Sequence, residues 1–320
     1  MKKIFSLSLS LVAALMLAMW SSQAGAITLG TYEAGALVPL VIHNGSNVNT
    51  VVGITLADGT TAGNPQTVCW AFFNFNSMHI TNRCFTMTSN DMYLFNWQNE
   101  SGIGLANTEG YIAFTVTSTA AKISANAFMV DSTTRDAIYV PVLPLKTTDM
   151  INPGTTAFEV ISAANGSAPG NRVDIRYWID PAYQATTAIK IWSVGDMSKG
   201  QWNNPDNPAG AIYPLVIYDN NENRKSVNFY AKNAELNTID PSKLQGLPTN
   251  FIDGFVRFYL PTAADLCTDR NDPCTNDVQY NGTPGHTDKN NMLVFSYVDS
   301  NLIGAAQTML AGEGSSTLLP

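Results

Sequence analysis

Four short apolar segments in the first half of this 320-residue chain recur, in the same order, in the second half. Residues 39–54 (PLVIHNGSNVNTVVGI) lie over 176–191 (RYWIDPAYQATTAIKI), and 70–76 lie over 215–221. Residues 110–114 then lie over 254–258, and 126–131 over 294–299. The segments are rich in Val, Ile, Phe, Tyr and Thr and are separated by Gly, Asn, Asp and Pro, which is the pattern of strands and turns. Alternation is plain in 111–116 and 227–231, whereas helical periodicity is scarce. A sheet with one apolar face needs a second sheet over it, so each copy predicts an antiparallel sandwich. The expected fold is therefore all-β, with two tandem sandwich domains at 27–166 and 167–320. The second copy carries extra residues near 265–291, an Asp/Asn-rich stretch between its last two strands. Two helical pieces are expected: a turn at 239–244, with Asp240 as cap and Pro241 at the first position, and a short helix at 304–310.

The N-terminus reads as a secretion signal. Lys2 and Lys3 precede an apolar stretch at 4–20, and Ala24-Gly25-Ala26 offers a small-x-small cleavage pattern, so residues 1–26 are expected to be removed. About 294 residues remain, a length that suits two domains. No later apolar run is long enough for a membrane helix, so no transmembrane anchor is expected. Losing two lysines takes the formal net charge from −8 to −10. With no cluster of Lys and Arg, nucleic acid is an unsuitable partner. Charge is also uneven: residues 27–166 hold four basic and nine acidic side chains, the remainder eleven and sixteen. The charge-poor half is covered by Thr, Ser, Asn and Gly, which lose water cheaply and suit packing against another subunit, so self-association is one expectation. A Thr/Asn surface is also an ordinary feature of exported β proteins.

The succession VPLVIHNG…NTVVGITL, VCWAFFNFNS, CFTMTSNDMYLF and GYIAFTV resembles the immunoglobulin-like sandwich modules of secreted bacterial surface proteins. The resemblance implies tandem sandwiches with binding or structural roles and supplies no catalytic residues. Trp70 would be the buried tryptophan of such a module.

Four cysteines in an exported chain favour disulfides. Cys69 and Cys84 are equidistant from a turn near Asn76-Ser77, and Cys267 and Cys274 bracket a short polar loop, so proximity pairs 69 with 84 and 267 with 274. Loops of this size stabilise by roughly 2–3 kcal/mol each. The loop oxygens of Asp269, Asn271, Asp272 and Asp277 make calcium the one metal with sequence support, although the spacing is not an EF-hand and a solvated disulfide loop is the plainer reading. Trp97, Trp192 and Trp202 are candidates for stacking on sugar rings, with Trp202 the best placed to be exposed; a tryptophan pinning its own loop is the plainer alternative.

Catalytic signatures are weak. His43, His79 and His286 sit in no HExxH pattern or nucleophile elbow, and His43, before Asn44-Gly45, reads as a solvated turn residue. The chain is thus expected to be a non-enzymatic structural or adhesion protein of the cell surface or extracellular space, exported to periplasm, surface or medium. No cofactor is expected, calcium apart. Its partner would be a protein or surface polymer at the cell envelope. A carbohydrate- or calcium-binding module, or a hydrolase with an unrecognised site, are the alternatives.

Overall fold

The computed structural model describes residues 30–57, 65–76, 78–118, 120–148, 161–163, 172–193, 212–230, 232–233, 236–259, 292–303, 305–310 and 312–314. The first half forms β1 (Gly35–Val41), β2 (Val48–Leu56), β3 (Gln66–Asn74), β4 (His79–Met87), β5 (Met92–Asn96), β6 (Gly110–Val116), β7 (Ile123–Asp131), β8 (Asp136–Val140), β9 (Leu143–Thr148) and β10 (Ile161–Ala163). The second forms β11 (Arg172–Trp178), β12 (Ala185–Ser193), β13 (Ile212–Asp219), β14 (Arg224–Tyr230), β15 (Leu236–Ile239), β16 (Asp253–Tyr259), β17 (Met292–Ser300), β18 (Ala305–Leu310) and β19 (Gly312–Gly314).

These strands make two antiparallel sandwiches of the same topology. In the first, sheet β10-β9-β1-β6-β3-β4 faces β5-β2-β7-β8. In the second, β19-β11-β16-β13-β14 faces β15-β12-β17-β18. Apart from β10, each strand of one half has its counterpart, in order, in the other.

Three local devices carry the match down to single residues. The Thr50 hydroxyl accepts from the Ile42 N–H and donates to the Ile42 carbonyl, 2.9 Å each way. The Thr187 hydroxyl does the same to Trp178, at 2.8 and 2.7 Å. Asn74 Oδ1 accepts the N–H groups of Asn76 and Met78, and Asp219 Oδ1 those of Asn221 and Asn223, so one side chain organises the equivalent turn in each copy. Gly110 and Gly254 hold equivalent positions at the start of β6 and β16 because nothing larger fits: a Cβ would come within 2.1 Å of the Phe73 carbonyl oxygen and 1.9 Å of that of Tyr218.

The registers also correct one correspondence. Val52 pairs with Ala127, and its counterpart Ile189 pairs with Ser296. Ala127 therefore matches Ser296, and the alignment of 126–131 with 294–299 is one residue out of step. In a strand that slip exchanges the two faces.

The first core is aromatic. Trp70, Phe72, Phe95, Trp97 and Phe114 are buried and meet largely edge to face or tilted. The second is aliphatic, built on Ile175, Ile189, Leu215, Ile217 and Val256. The capped turn lies where the sequence places it: Asp240 accepts from Ser242 N–H at the start of a 3₁₀ turn, Pro241–Lys243. Residues 305–310 are strand β18 and not a helix, since so short a helix is unstable alone and the segment gains a ladder with β17 instead. A helical turn that the sequence did not announce, α1 (Trp97–Ser101), is capped by the Asn96 side chain.

Candidate interaction surface

The outer face of the second sandwich's four-stranded sheet is buried in a seam against the first sandwich. Trp192 of β12, Leu293 and Phe295 of β17 and Leu236 of β15 belong to the first sandwich's apolar core, while their strand neighbours Ile191 and Val294 belong to the second core. Sheet β15-β12-β17-β18 is thus apolar on both faces. At the seam, Trp192 meets the edge of Tyr111 at 5.6 Å, and Tyr111 in turn stacks on Phe73 at 5.2 Å. The Leu236 N–H donates to the Phe75 carbonyl at 3.1 Å, and the Thr308 hydroxyl donates to the Tyr139 carbonyl. Lys190, its side chain only 5% exposed, reaches Glu109 Oε1 at 2.5 Å and Thr238 Oγ1 at 2.7 Å, which satisfies a cation that burial would otherwise penalise.

One part of the seam is unfavourable. Asp136 Oδ2 and Asp299 Oδ1 are sealed from water with no hydrogen-bond partner. Burial, reinforced by the Asp136 charge and, more weakly, that of Asp131, raises the Asp299 pKa above the usual carboxylate range.

The equivalent outer face of the first sandwich is uncovered. On β5, β2 and β7, Met92 is 70% exposed, Leu94 65% and Phe128 41%. Their neighbours across the ladders are Thr55, Gly53 and Val51. Pairing fixes the counterparts: Met92 sits beside Thr55 as Leu236 sits beside Trp192, and Phe128 beside Val51 as Tyr297 beside Ala188. Gly53 stands where Lys190 stands, and a Cβ there would meet nothing within 4 Å. Large apolar side chains on an open sheet face are the usual mark of a contact surface.

The two outermost strands β4 and β14 differ as well. β14 begins with exposed Arg224-Lys225, charges that discourage strand addition. β4 has exposed Ile80, with Met78 just before it, and its Arg83 pairs with Glu100 at 3.8 Å. Cys69 and Cys84 face each other across β3 and β4 and are bonded, as their spacing predicts.

His43 is buried, correcting the solvated-turn expectation. Its ring lies edge-on to Trp97 at 6.3 Å, and Ser101 Oγ is 2.6 Å from Nε2. A Ser–His contact invites a catalytic reading, but the Gly45 N–H donates to Nδ1 at 3.1 Å, which places the neutral ring's proton on Nε2. Nε2 then donates to Ser101, whose hydroxyl contacts the Gly102 carbonyl at 3.2 Å. A general base would need the opposite tautomer. Burial lowers the His43 pKa, against a smaller upward pull from the Gly102 backbone, so the ring stays neutral and ties the β1–β2 turn to α1.

Trp97 and Trp192 are buried and take no part in a sugar platform; Trp97 is core and Trp192 is seam. Trp178 is only partly buried, its ring 5.5 Å from that of exposed Tyr183. Trp202, Cys267, Cys274 and the calcium candidates Asp269, Asn271, Asp272 and Asp277 lie outside the described residues. Among the described residues no group of three or more His, Cys, Asp and Glu side chains is arranged to hold a metal ion, and no helix is long and apolar enough to cross a membrane. The open face was missed in sequence because Met92 and Leu94 sit in a run, MYLF, that reads as buried on both sides.

No family model matches the chain, and no curated protein sequence matches it. Among solved structures, the N-terminal CBM22-1-CBM22-2 tandem domain of Xyn10C from Paenibacillus barcinonensis aligns with 84% of this chain and 80% of its own at 12% identity, with a TM-score of 0.17. That superposition is too poor to bear on fold or function.

Proposed function

We propose that this chain is an exported, non-enzymatic structural or adhesion protein of the cell surface, built from two immunoglobulin-like sandwiches and acting through the open face of the first. The observation that carries this reading is the contrast between equivalent faces: the outer face of β12 and β17 is a buried contact, and that of β5, β2 and β7 is open, with exposed Met92, Leu94 and Phe128 around Asn126. The immunoglobulin-like assignment draws support from strand order. β1-β6-β3 and β2-β7-β8 take the relative places of strands B-E-D and C-F-G in that fold, with β4, β5, β9 and β10 as additions, β9 lying beside β1 where strand A would. Export draws support from the leader at 1–26 and from the bonded cysteines.

The test is fractionation of cells making the full chain, followed by binding of the purified mature protein to washed envelopes. Surface or envelope association, weakened at least tenfold by the double substitution L94D/F128D, is the expected result. Unchanged binding by that variant would move the contact elsewhere, and a purely cytoplasmic chain would end the proposal.

A further inference from the structure

We infer that copies of this chain associate head to tail, the open face of the first sandwich in one copy seating on the turn end of the second sandwich in the next. The inference rests on the open face assigned above as the contact surface and names its occupant, a second copy.

The seam inside the chain is the template. It joins two kinds of surface: the outer face of a four-stranded sheet, and the end of the other sandwich marked by the stacked pair Phe73–Tyr111. Each kind occurs twice because the sandwich occurs twice, yet the seam uses each once. The unused sheet face carries Met92, Leu94 and Phe128. The unused stack is Tyr218–Phe255, the counterpart of Phe73–Tyr111, parallel at 4.5 Å and directly paired across β13 and β16 as its counterpart is across β3 and β6. The two stacks differ in burial: Phe73 and Tyr111 are fully buried, Tyr218 and Phe255 only partly.

The acid at the seam also has a counterpart. Glu109 directly precedes Gly110, as Asp253 precedes Gly254. Asp253 pairs with exposed Arg176, so the charge on this end is already balanced. Arg257 lies over both rings of the open stack, at 5.2 and 5.4 Å, and its charge is matched by Asp174. An aromatic end on which Arg176 and Arg257 are each paired with a carboxylate therefore faces an uncharged sheet surface that carries Met92, Leu94 and Phe128. The two surfaces lie on different sandwiches, so the contact is heterologous, and repeating it from copy to copy builds a ring or an open chain.

Sedimentation of the mature chain over a range of concentrations tests this, with two variants. L94D/F128D damages the sheet face, and Y218E damages the stack end; V216E, on the same outer face of β13, replaces Y218E if circular dichroism shows that the latter does not fold. The wild type is expected to grow beyond dimer as concentration rises. Each variant alone is expected to need at least tenfold more protein to associate. An equimolar mixture is expected to stop at dimer, because each partner keeps one working surface. A wild type that stays monomeric throughout, or association of L94D/F128D or of Y218E alone at the concentrations where the wild type associates, would each overturn the inference. A monomeric protein that still binds envelopes would leave the proposed role standing and remove only the self-assembly.

Discussion

Thr187 repeats Thr50. Each is a buried threonine on the second strand of its sandwich, and each hydroxyl both accepts from and donates to the backbone of one residue at the end of the first strand. The two bonds satisfy an N–H and a carbonyl that the turn would otherwise leave unpaired. T50V and T187V keep the shape and lose both bonds. Each is expected to destabilise by about 1–3 kcal/mol, measured by urea unfolding. A clear loss in one and none in the other would show that the copies do not share this device.

Gly110 and Gly254 are the second shared position. Alanine at either site would drive a methyl group into a neighbouring strand's carbonyl oxygen, at 2.1 and 1.9 Å. Backbone must move in both cases. A loss of about 1–3 kcal/mol is expected from each substitution, with hydrogen exchange accelerated along β3 and β6 in G110A and along β13 and β16 in G254A.

Across the seam, Lys190 and Glu109 stand at 5% and 29% side-chain exposure. Removing one partner strands the other. K190M or E109Q alone is expected to cost about 3 kcal/mol, and the pair K190M/E109L much less, since a buried ion pair is replaceable by apolar packing. A double-mutant cycle reads the coupling. Additive losses would mean that the two side chains do not depend on each other.

The carboxylates near Asp299 set a pH dependence. The folded-state pKa of Asp299 is raised, by burial first and then by Asp136 and Asp131, so its ionised form opposes the fold. Relief is complete below the unfolded-state value and is lost as pH rises through the folded one. D299N is therefore expected to raise the thermal midpoint at neutral pH and to flatten its fall between pH 4 and the raised folded value. A midpoint profile identical to that of the wild type would place the group in water.

Much of the fold is legible in the sequence because it is local. Strand and turn residues alternate in short blocks, Asp240-Pro241 starts its turn, and Cys69 and Cys84 face each other because they are equidistant from a hairpin centre. The one-residue error in matching 126–131 to 294–299 arises because both segments end in Val-Asp, which aligns them by composition, whereas the register is set by pairing with β2 and β12. His43 is buried where the sequence reads as a solvated turn. Asn44-Gly45 fixes a turn but does not say whether the preceding ring points outward or beneath Trp97. Residues 305–310 look helical in isolation, and β17 decides otherwise.

What the sequence determined alone is the repeated unit, which residues extend and where the chain turns, set by backbone sterics and hydrogen bonding between near neighbours. What only the tertiary structure decided is which outer faces are covered. Trp192 and Met92 both sit outside their own sandwich's core, and one is buried while the other stands open. Period-two patterning specifies a strand's two faces, but burial of the second face depends on what packs against it, and that contact joins segments far apart in the chain.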